Sequence, residues 1–208
     1  MSRRANTDER RSQIATALLA VMAKHGYAGA SIGEIAAKAK IAPGLVHYHF
    51  ANKFEILLEA THMLAAEHER SLAHAVADAP SAAEALVAII DAHLGLGAHA
   101  DPARLACWIQ IAGEAIRHPG VRTEYRAVIA SLARRIEQVI RAGIDDGELA
   151  CADPTAAGVA IAAAIQGYFV MAATARDLIP RGTAAASTRA MLEGLVRFTK
   201  VAKKGRTR

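Results

Sequence analysis

The sequence predicts an all-α fold of about nine helices, and three observations predict it. Apolar residues recur at helical spacing, as in Ile32, Ile35, Ala36 and Ala39, while no run alternates apolar and polar residues as a half-buried strand would. Helix starts are written repeatedly. Ser31 with Glu34 and Ser81 with Glu84 are capping boxes, and Asp101-Pro102 and Asp153-Pro154 each set a capping carboxylate before a first-turn proline. The composition is 53 % apolar over 208 residues, enough to bury a core and too apolar for a disordered chain.

The segment from Ser31 to Lys53 says most about function. Its first helix is opened by the Ser31 capping box and carries the stripe named above. Pro43 cannot sit inside that helix but suits the first turn of a new one, predicted over Pro43 to Phe50. Val46 and Phe50 share the buried face of this second helix, which leaves Leu45, His47, Tyr48 and His49 facing outward. Two short helices at this spacing, followed by a third, are how a helix-turn-helix reader of DNA is written.

The later elements follow from their punctuation. A long helix is predicted from a cap at Asn52, through Phe54, Leu57, Leu58, Thr61 and Leu64, to about Pro80. The Ser81 box opens the next, with Leu86, Ile89, Ile90 and His93 on one face up to Gly95. From Asp101 a helix runs to about His118. Another carries Tyr125, Val128, Ile129, Leu132, Ile136, Val139 and Ile140 to a stop at Gly143 to Gly147. The last helix is expected to place Met191, Leu192, Leu195, Phe198 and Ala202 on one stripe, and no sheet is expected.

The helix from Asp153 to about Thr174 bears on assembly. Between Ala156 and Ala173 its only strongly polar side chain is Gln166, so it is apolar all round and requires cover on every side. One domain covers one face easily; the opposite face calls for a partner subunit. The small residues Gly158, Ala160, Ala162, Ala163, Ala164 and Gly167 permit close approach of another helix.

Charge is uneven along the chain. Residues 1–55 carry eight Lys/Arg against four Asp/Glu, residues 56–196 eleven against sixteen, and residues 197–208 six against none. The basic head suits a phosphate-binding module, while the acidic body would be repelled from DNA. The basic tail reads either as a solvated terminus or as an accessory electrostatic arm. Cys107 and Cys151 lie far apart without metal-ligand spacing and read as small apolar residues in a reducing compartment. Residues 1–11 hold no apolar run and no uninterrupted apolar stretch reaches membrane-spanning length, so no membrane partner and a cytoplasmic location are expected.

At this point the residues carry a family resemblance. Ser31-Ile32, Ile35-Ala36 and Ala39, then Gly44, then His47-Tyr48-His49-Phe50 and Lys53 closely resemble the DNA-binding domain of the tetracycline-repressor-like (TetR) family of bacterial regulators. Upstream, Ile14, Leu18, Met22 and His25-Gly26-Tyr27 look like that family's first helix and its glycine stop. The likeness covers about residues 8–68; beyond that it extends only to length and helical pattern. Three positions depart from the family pattern. Lys40-Ile41-Ala42 stands where Gly-Val-Ser is usual, Leu45 replaces a polar base-reading residue, and His47 replaces a phosphate-binding Tyr. Alanine in place of a Ser cap weakens the recognition helix start by about 1 kcal/mol.

The resemblance implies a homodimeric transcription regulator, a repressor, whose two recognition helices enter successive major grooves of a palindromic operator. Ser31, His47, His49 and Lys53 are assigned to phosphates, and Pro43, Gly44, Leu45 and Tyr48 to base edges, with Leu45 meeting thymine methyls. It further implies a DNA-binding domain over 8–68 with its helix-turn-helix at 31–50, a helical effector-binding and dimerisation domain over 69–202, and a basic tail over 203–208. Dimerisation is expected through the last two helices. The larger side chains available to line a small-molecule cavity are Met63, His93, Trp108, Ile111, Tyr125, Gln166, Tyr168, Phe169 and Met171. Trp108 and Phe169 at helical spacing read more readily as core, and a buried Gln166 amide needs partners that either the core or a ligand supplies. The stretch Trp108 to Pro119 with Gly167-Tyr168 looks faintly like the choline-responsive regulators of the family, and no effector is named from it.

The chain has no Gly-x-Ser-x-Gly, no phosphate loop and no His-Glu-x-x-His, so an enzyme is not expected, nor a cofactor. A di-metal bundle needs paired Glu-x-x-His elements, and only Glu59 with His62 qualifies, so no metal site is expected. A constitutive DNA-binding protein without effector remains the alternative.

Overall fold

The computed structural model describes residues 3–95 and 101–199, with side chains from Asn6 onward. Among the described residues the α-helices are α1 (Arg3–Gly29), α2 (Ile32–Ala39), α3 (Pro43–His49), α4 (Lys53–Ala77), α5 (Ala82–Leu94), α6 (Pro102–Arg117), α7 (Pro119–Asp145), α8 (Pro154–Thr174) and α9 (Thr183–Leu195). Their number and order match the sequence expectation.

The predicted starts are built as read except at Ser81, whose hydroxyl accepts from the Glu84 N–H at 3.1 Å as half of the expected capping box. Ser31 Oγ accepts from the Glu34 N–H at 3.2 Å while a Glu34 carboxylate oxygen accepts from the Ser31 N–H at 2.9 Å. Asn52 caps α4 through the Glu55 N–H at 3.1 Å. Asp101 and Asp153 accept from the Ala103 and Ala156 amides, at 3.0 and 2.9 Å. Gly26 breaks the helical path of α1 at φ 72°, a left-handed value that glycine adopts without strain, and Gly147 turns the chain after α7 in the same region.

The end of the chain corrects two expectations. A short antiparallel ribbon pairs β1 (Leu149–Ala150) with β2 (Arg197–Phe198), Leu149 opposite Phe198. The last helix therefore stops at Leu195, short of the stripe predicted through Phe198, and Ala202 lies outside the described residues. The reason is tertiary. Val196 is wholly buried in extended backbone, and the Thr199 N–H finds the Glu148 carbonyl at 2.8 Å, so backbone partners across the ribbon replace those of another helical turn.

The turn between α2 and α3 is closed by a non-glycine residue. Lys40 adopts φ 57° and its N–H reaches the Ala36 and Ala37 carbonyls, while the Ile41 N–H bonds the Ala36 carbonyl at 3.0 Å. This is a Schellman closure, whose left-handed residue is usually glycine because Cβ crowds the carbonyl there. Lys40→Gly is expected to stabilise the fold by about 1 kcal/mol, read as a rise in thermal midpoint at fixed protein concentration. A fall would show that the lysine stem contributes packing worth more than the strain.

By packing, the chain divides into two compact units. The described residues of Met1–Glu69 and Asp101–Val128 form one, and those of Arg70–Ala100 and Ile129–Arg208 the other. The first is centred on Ile14, Leu18, Met22, Ile35, Val46, Phe50, Ile56, Leu57 and Ile111. Cys107 is buried in it, its Sγ–H donates to the Leu19 carbonyl at 3.1 Å, and burial pushes the thiol up to about 11. The second unit is centred on Leu72, Leu86, Ile89, Ile90, Leu132, Ile136, Ile140, Ile161 and Leu192.

Within the second unit α8 is covered on one side. Ala157, Gly158, Ile161, Ala162 and Ile165 are buried. Ala160, Ala163, Gly167, Val170 and Met171 are exposed along the opposite stripe, beside Met191 and Leu195 of α9. By length and composition α8 could also cross a membrane, and 28 % of its apolar window is buried.

Candidate nucleic-acid interface

The short helix α3 is set by two buried side chains. Val46 and Phe50 are 0 % and 2 % exposed in the core of the first unit, which turns the remaining positions outward. Pro43, Gly44, Leu45, His47 and Tyr48 are exposed as the sequence predicts, Tyr48 at 74 %, and His49 is half-buried. The Tyr48 and His49 rings meet edge to face, 5.1 Å between centroids. A Cβ at Gly44 would meet nothing within 4 Å, so the start of the helix offers bare backbone to an approaching surface.

Seven residues are too few for a helix to hold itself, so its frame is supplied by α1 and α4. Arg11 Nη1 donates to the His49 carbonyl at 2.8 Å, its Nε and Nη2 donate to Glu59 Oε2 at 3.1 and 2.7 Å, and its guanidinium lies 4.1 Å from the Phe50 ring centroid. Gln13 Nε2 donates to the Ala39 carbonyl at 2.8 Å. Each of these side chains satisfies a carbonyl that the end of α3 or α2 leaves unpaired.

Two residues assigned to phosphates have partners within the chain. The Lys53 ammonium donates to the carbonyls of Tyr27, Ala28 and Ala30 at 2.8, 3.3 and 2.8 Å and sits 4.5 Å from the Tyr27 ring. Its three donors are thus matched to the end of α1, and it ties that end to the start of α4. Ser31 is exposed, but its hydroxyl donates to Glu34 Oε2 at 2.8 Å and its N–H bonds the same oxygen, so both donors face a carboxylate rather than open water. That pairing holds the Glu34 carboxyl below its usual range, the Ser31 bonds being the cause. Lys38 and Lys40, exposed at the end of α2 and in the turn, are cations that the motif reading passed over. The signal for them was two lysines flanking Ala39 in a basic head, immediately before the recognition helix.

The residues expected to line an effector cavity fall in different places. Met63, Trp108, Ile111 and Tyr125 belong to the first unit; Ile111 is wholly buried, and the Trp108 and Tyr125 rings lie 4.7 Å apart. Burial raises the Tyr125 hydroxyl above its usual range. His93, Gln166 and Phe169 belong to the second unit, where His93 Nδ1 bonds the Ile89 carbonyl at 2.6 Å and its ring stacks on Phe169 at 6.5 Å. Tyr168 and Met171 belong to the second unit too. They line an open apolar groove of about 550 Å³ with Ala164, Gly167, Leu178 and Met191, on the outer side of α8. One hundred degrees of helix separate Tyr168 from Phe169, which is why neighbours in sequence serve different surfaces.

The metal-bundle alternative meets occupied ligands. Glu59 is the Arg11 partner and His62 Nε2 lies 3.2 Å from Glu124, and among the described residues no group of three His, Cys, Asp or Glu could hold an ion.

A three-helix head with an exposed third helix on a buried two-residue keel, followed by a helical body, defines a helix-turn-helix regulator. Comparison with known families agrees. Residues 14–67 match the model of bacterial regulatory proteins of the tetR family, and residues 82–197 that of the BetI-type transcriptional repressor, C-terminal. The chain belongs to the TetR family of transcriptional regulators.

Solved structures share the fold. A TetR transcription regulator from Haloarcula marismortui is 18 % identical over 91 % of this chain and 99 % of its own, with a TM-score of 0.83. A regulator from Saccharomonospora viridis, solved with choline, is 25 % identical over 89 % of this chain and 94 % of its own, TM-score 0.75. FadR from Bacillus subtilis, solved with stearoyl-CoA, is 20 % identical over 88 % and 95 %, TM-score 0.71. No protein of curated function matches the chain by sequence.

Proposed function

We propose that the protein is a homodimeric repressor, working on DNA in the cytoplasm rather than catalysing a reaction, and released from a palindromic operator by a small-molecule effector. The observation that carries the reading is α3, with Leu45 and Tyr48 turned outward over buried Val46 and Phe50. In this reading Pro43, Gly44, Leu45 and Tyr48 meet base edges, His47 and His49 meet phosphates, and Lys38 and Lys40 add further phosphate contacts. Residues 8–68 are the DNA-binding domain and 69–202 the effector-binding and dimerisation domain. Helix α6 and the start of α7, which pack in the same compact unit as the head, are the route from effector to DNA.

Choline and stearoyl-CoA, bound by two structural relatives, differ so much in size and polarity that the shared fold does not choose between them. The effector acts by binding more tightly to the form whose heads do not fit the operator, a coupling of about 1–3 kcal/mol in typical cases.

The test starts from duplexes enriched out of a random pool by the native protein. Tyr48→Ala is expected to weaken binding to the enriched duplex by about 1–3 kcal/mol and to scrambled duplex far less. Trp108, the one tryptophan, packs at a tilt against the Tyr125 ring and reports on this region by its emission. A compound that shifts the emission should release the duplex over the same concentration range, since linkage is reciprocal. If a broad metabolite collection does neither, the constitutive DNA-binding alternative replaces the effector reading.

A further inference from the structure

Arg11 lies on α1, outside every position assigned to DNA, yet it joins three helices. Its Nη1 caps the last carbonyl of α3 at His49, its Nε and Nη2 bond Glu59 on α4, and its guanidinium covers the ring of Phe50, which ends α3. Arg11 and Glu59 side chains are 32 % and 24 % exposed, so the pair is shielded more than a surface ion pair. An arginine in a basic head is ordinarily a phosphate contact. Here three different nitrogens are already matched to acceptors, and one acceptor is a carboxylate that would oppose a phosphate.

We propose that Arg11 is a positioning residue for operator recognition: with Glu59 it forms a strut that sets the angle of α3 against α4. The proposal rests on the DNA-reading function of α3 and extends it. Because α3 has seven residues and a proline-led start without a side-chain cap, its orientation depends on what grips its far end. That end is held by Val46 and Phe50 from below and by the Arg11 fork from the side. Phe50 sets depth, since it is buried among apolar side chains; the fork sets direction, since planar guanidinium hydrogen bonds tolerate little rotation. A shift of α4 is then handed to the reading helix through Glu59, directly and without passing through the α2–α3 turn.

The test uses the full-length protein, a duplex it enriches from a random pool, and a scrambled duplex of the same composition. Arg11→Gln is expected to lower affinity for the enriched duplex on the order of tenfold, as loss of a charged hydrogen bond would, and to change affinity for the scrambled duplex little. The salt slope should stay as in the native protein, because no phosphate contact is lost. Glu59→Gln, which leaves the Arg11 bond to His49 available and keeps the side-chain shape, should reproduce the loss of discrimination, and the double variant should be no worse than the poorer single one. Arg11→Lys keeps the charge but not the fork and should remain impaired.

A different pattern overturns the proposal. If Arg11→Gln lowers both affinities alike, reduces the salt slope by about two per dimer, and is rescued by lysine, Arg11 is a phosphate contact. If all three single variants discriminate as the native protein does, the strut has no role. Should Arg11→Gln fail to fold by circular dichroism, the isosteric Glu59→Gln decides alone. A native protein that enriches no duplex removes the DNA-reading function itself, and this proposal with it.

Discussion

Gly167→Glu is expected to turn the protein from a dimer into a folded monomer that no longer binds its operator tightly. Gly167 is exposed, and a Cβ there would meet nothing within 4 Å, so a single chain accommodates the substitution. Its surroundings are apolar: Val159, Val170 and Met171 on α8 and Met191 and Leu195 on α9 are 37–56 % exposed. In the homodimer proposed above, such a stripe on a mostly uncovered apolar helix is the surface that a second copy covers. A glutamate placed in it buries an unpaired charge at a cost of about 3–5 kcal/mol, and two-fold symmetry imposes that cost twice. Sedimentation should give twice 21.9 kDa for the native chain and 21.9 kDa for the variant, with similar helical content by circular dichroism. A native monomer that binds one half-site at full strength would sink the architecture.

Gly158→Ala is expected to do the opposite, leaving the outer surface unchanged while destabilising the fold by about 2–3 kcal/mol. Glycine to alanine inside a helix ordinarily gains up to about 1 kcal/mol. At Gly158 the added Cβ would lie 2.6 Å from the Ala133 carbonyl and 3.3 Å from the Glu137 nitrogen, both backbone atoms of α7 that no side-chain rotation can move. For a chain of this size that corresponds to a fall of roughly 4–12 °C in thermal midpoint at fixed protein concentration. Gly113→Ala in α6, where nothing lies within 4 Å, is the control and should raise the midpoint. Equal responses at the two glycines would mean that α8 and α7 separate easily, and that the close approach is not a determinant of the second unit.

The small residues of α8 show where reading the chain succeeds and where it stops. Composition alone revealed that this helix is apolar all round and allows close approach. It did not divide the small residues between Gly158, which admits α7, and Gly167, which faces outward, because both are glycine in an alanine-rich run nine residues apart. The same limit separates Tyr168 from Phe169. In the head, by contrast, the outward face of α3 was legible apart from His49, which is half-buried, since Val46 and Phe50 anchor the helix in the core and the helical period does the rest. For Ser31 and Lys53 the phosphate expectation passed over partners within the chain. Their residue types announce donors, but the acceptors are a neighbouring carboxylate that closes on the serine and three carbonyls more than twenty residues upstream of the lysine.

By itself the sequence determined the helices, their caps, the glycine and proline boundaries and the outward face of the reading helix. Those depend on contacts within one or two turns, where spacing and side-chain chemistry suffice. Only the tertiary structure decided that α9 ends at Leu195 and Phe198 pairs with Leu149, that Lys53 closes α1, and that Arg11 grips α3. In each case a backbone polar group left over at the end of an element is satisfied by a partner distant in sequence, and which partner arrives is set by packing.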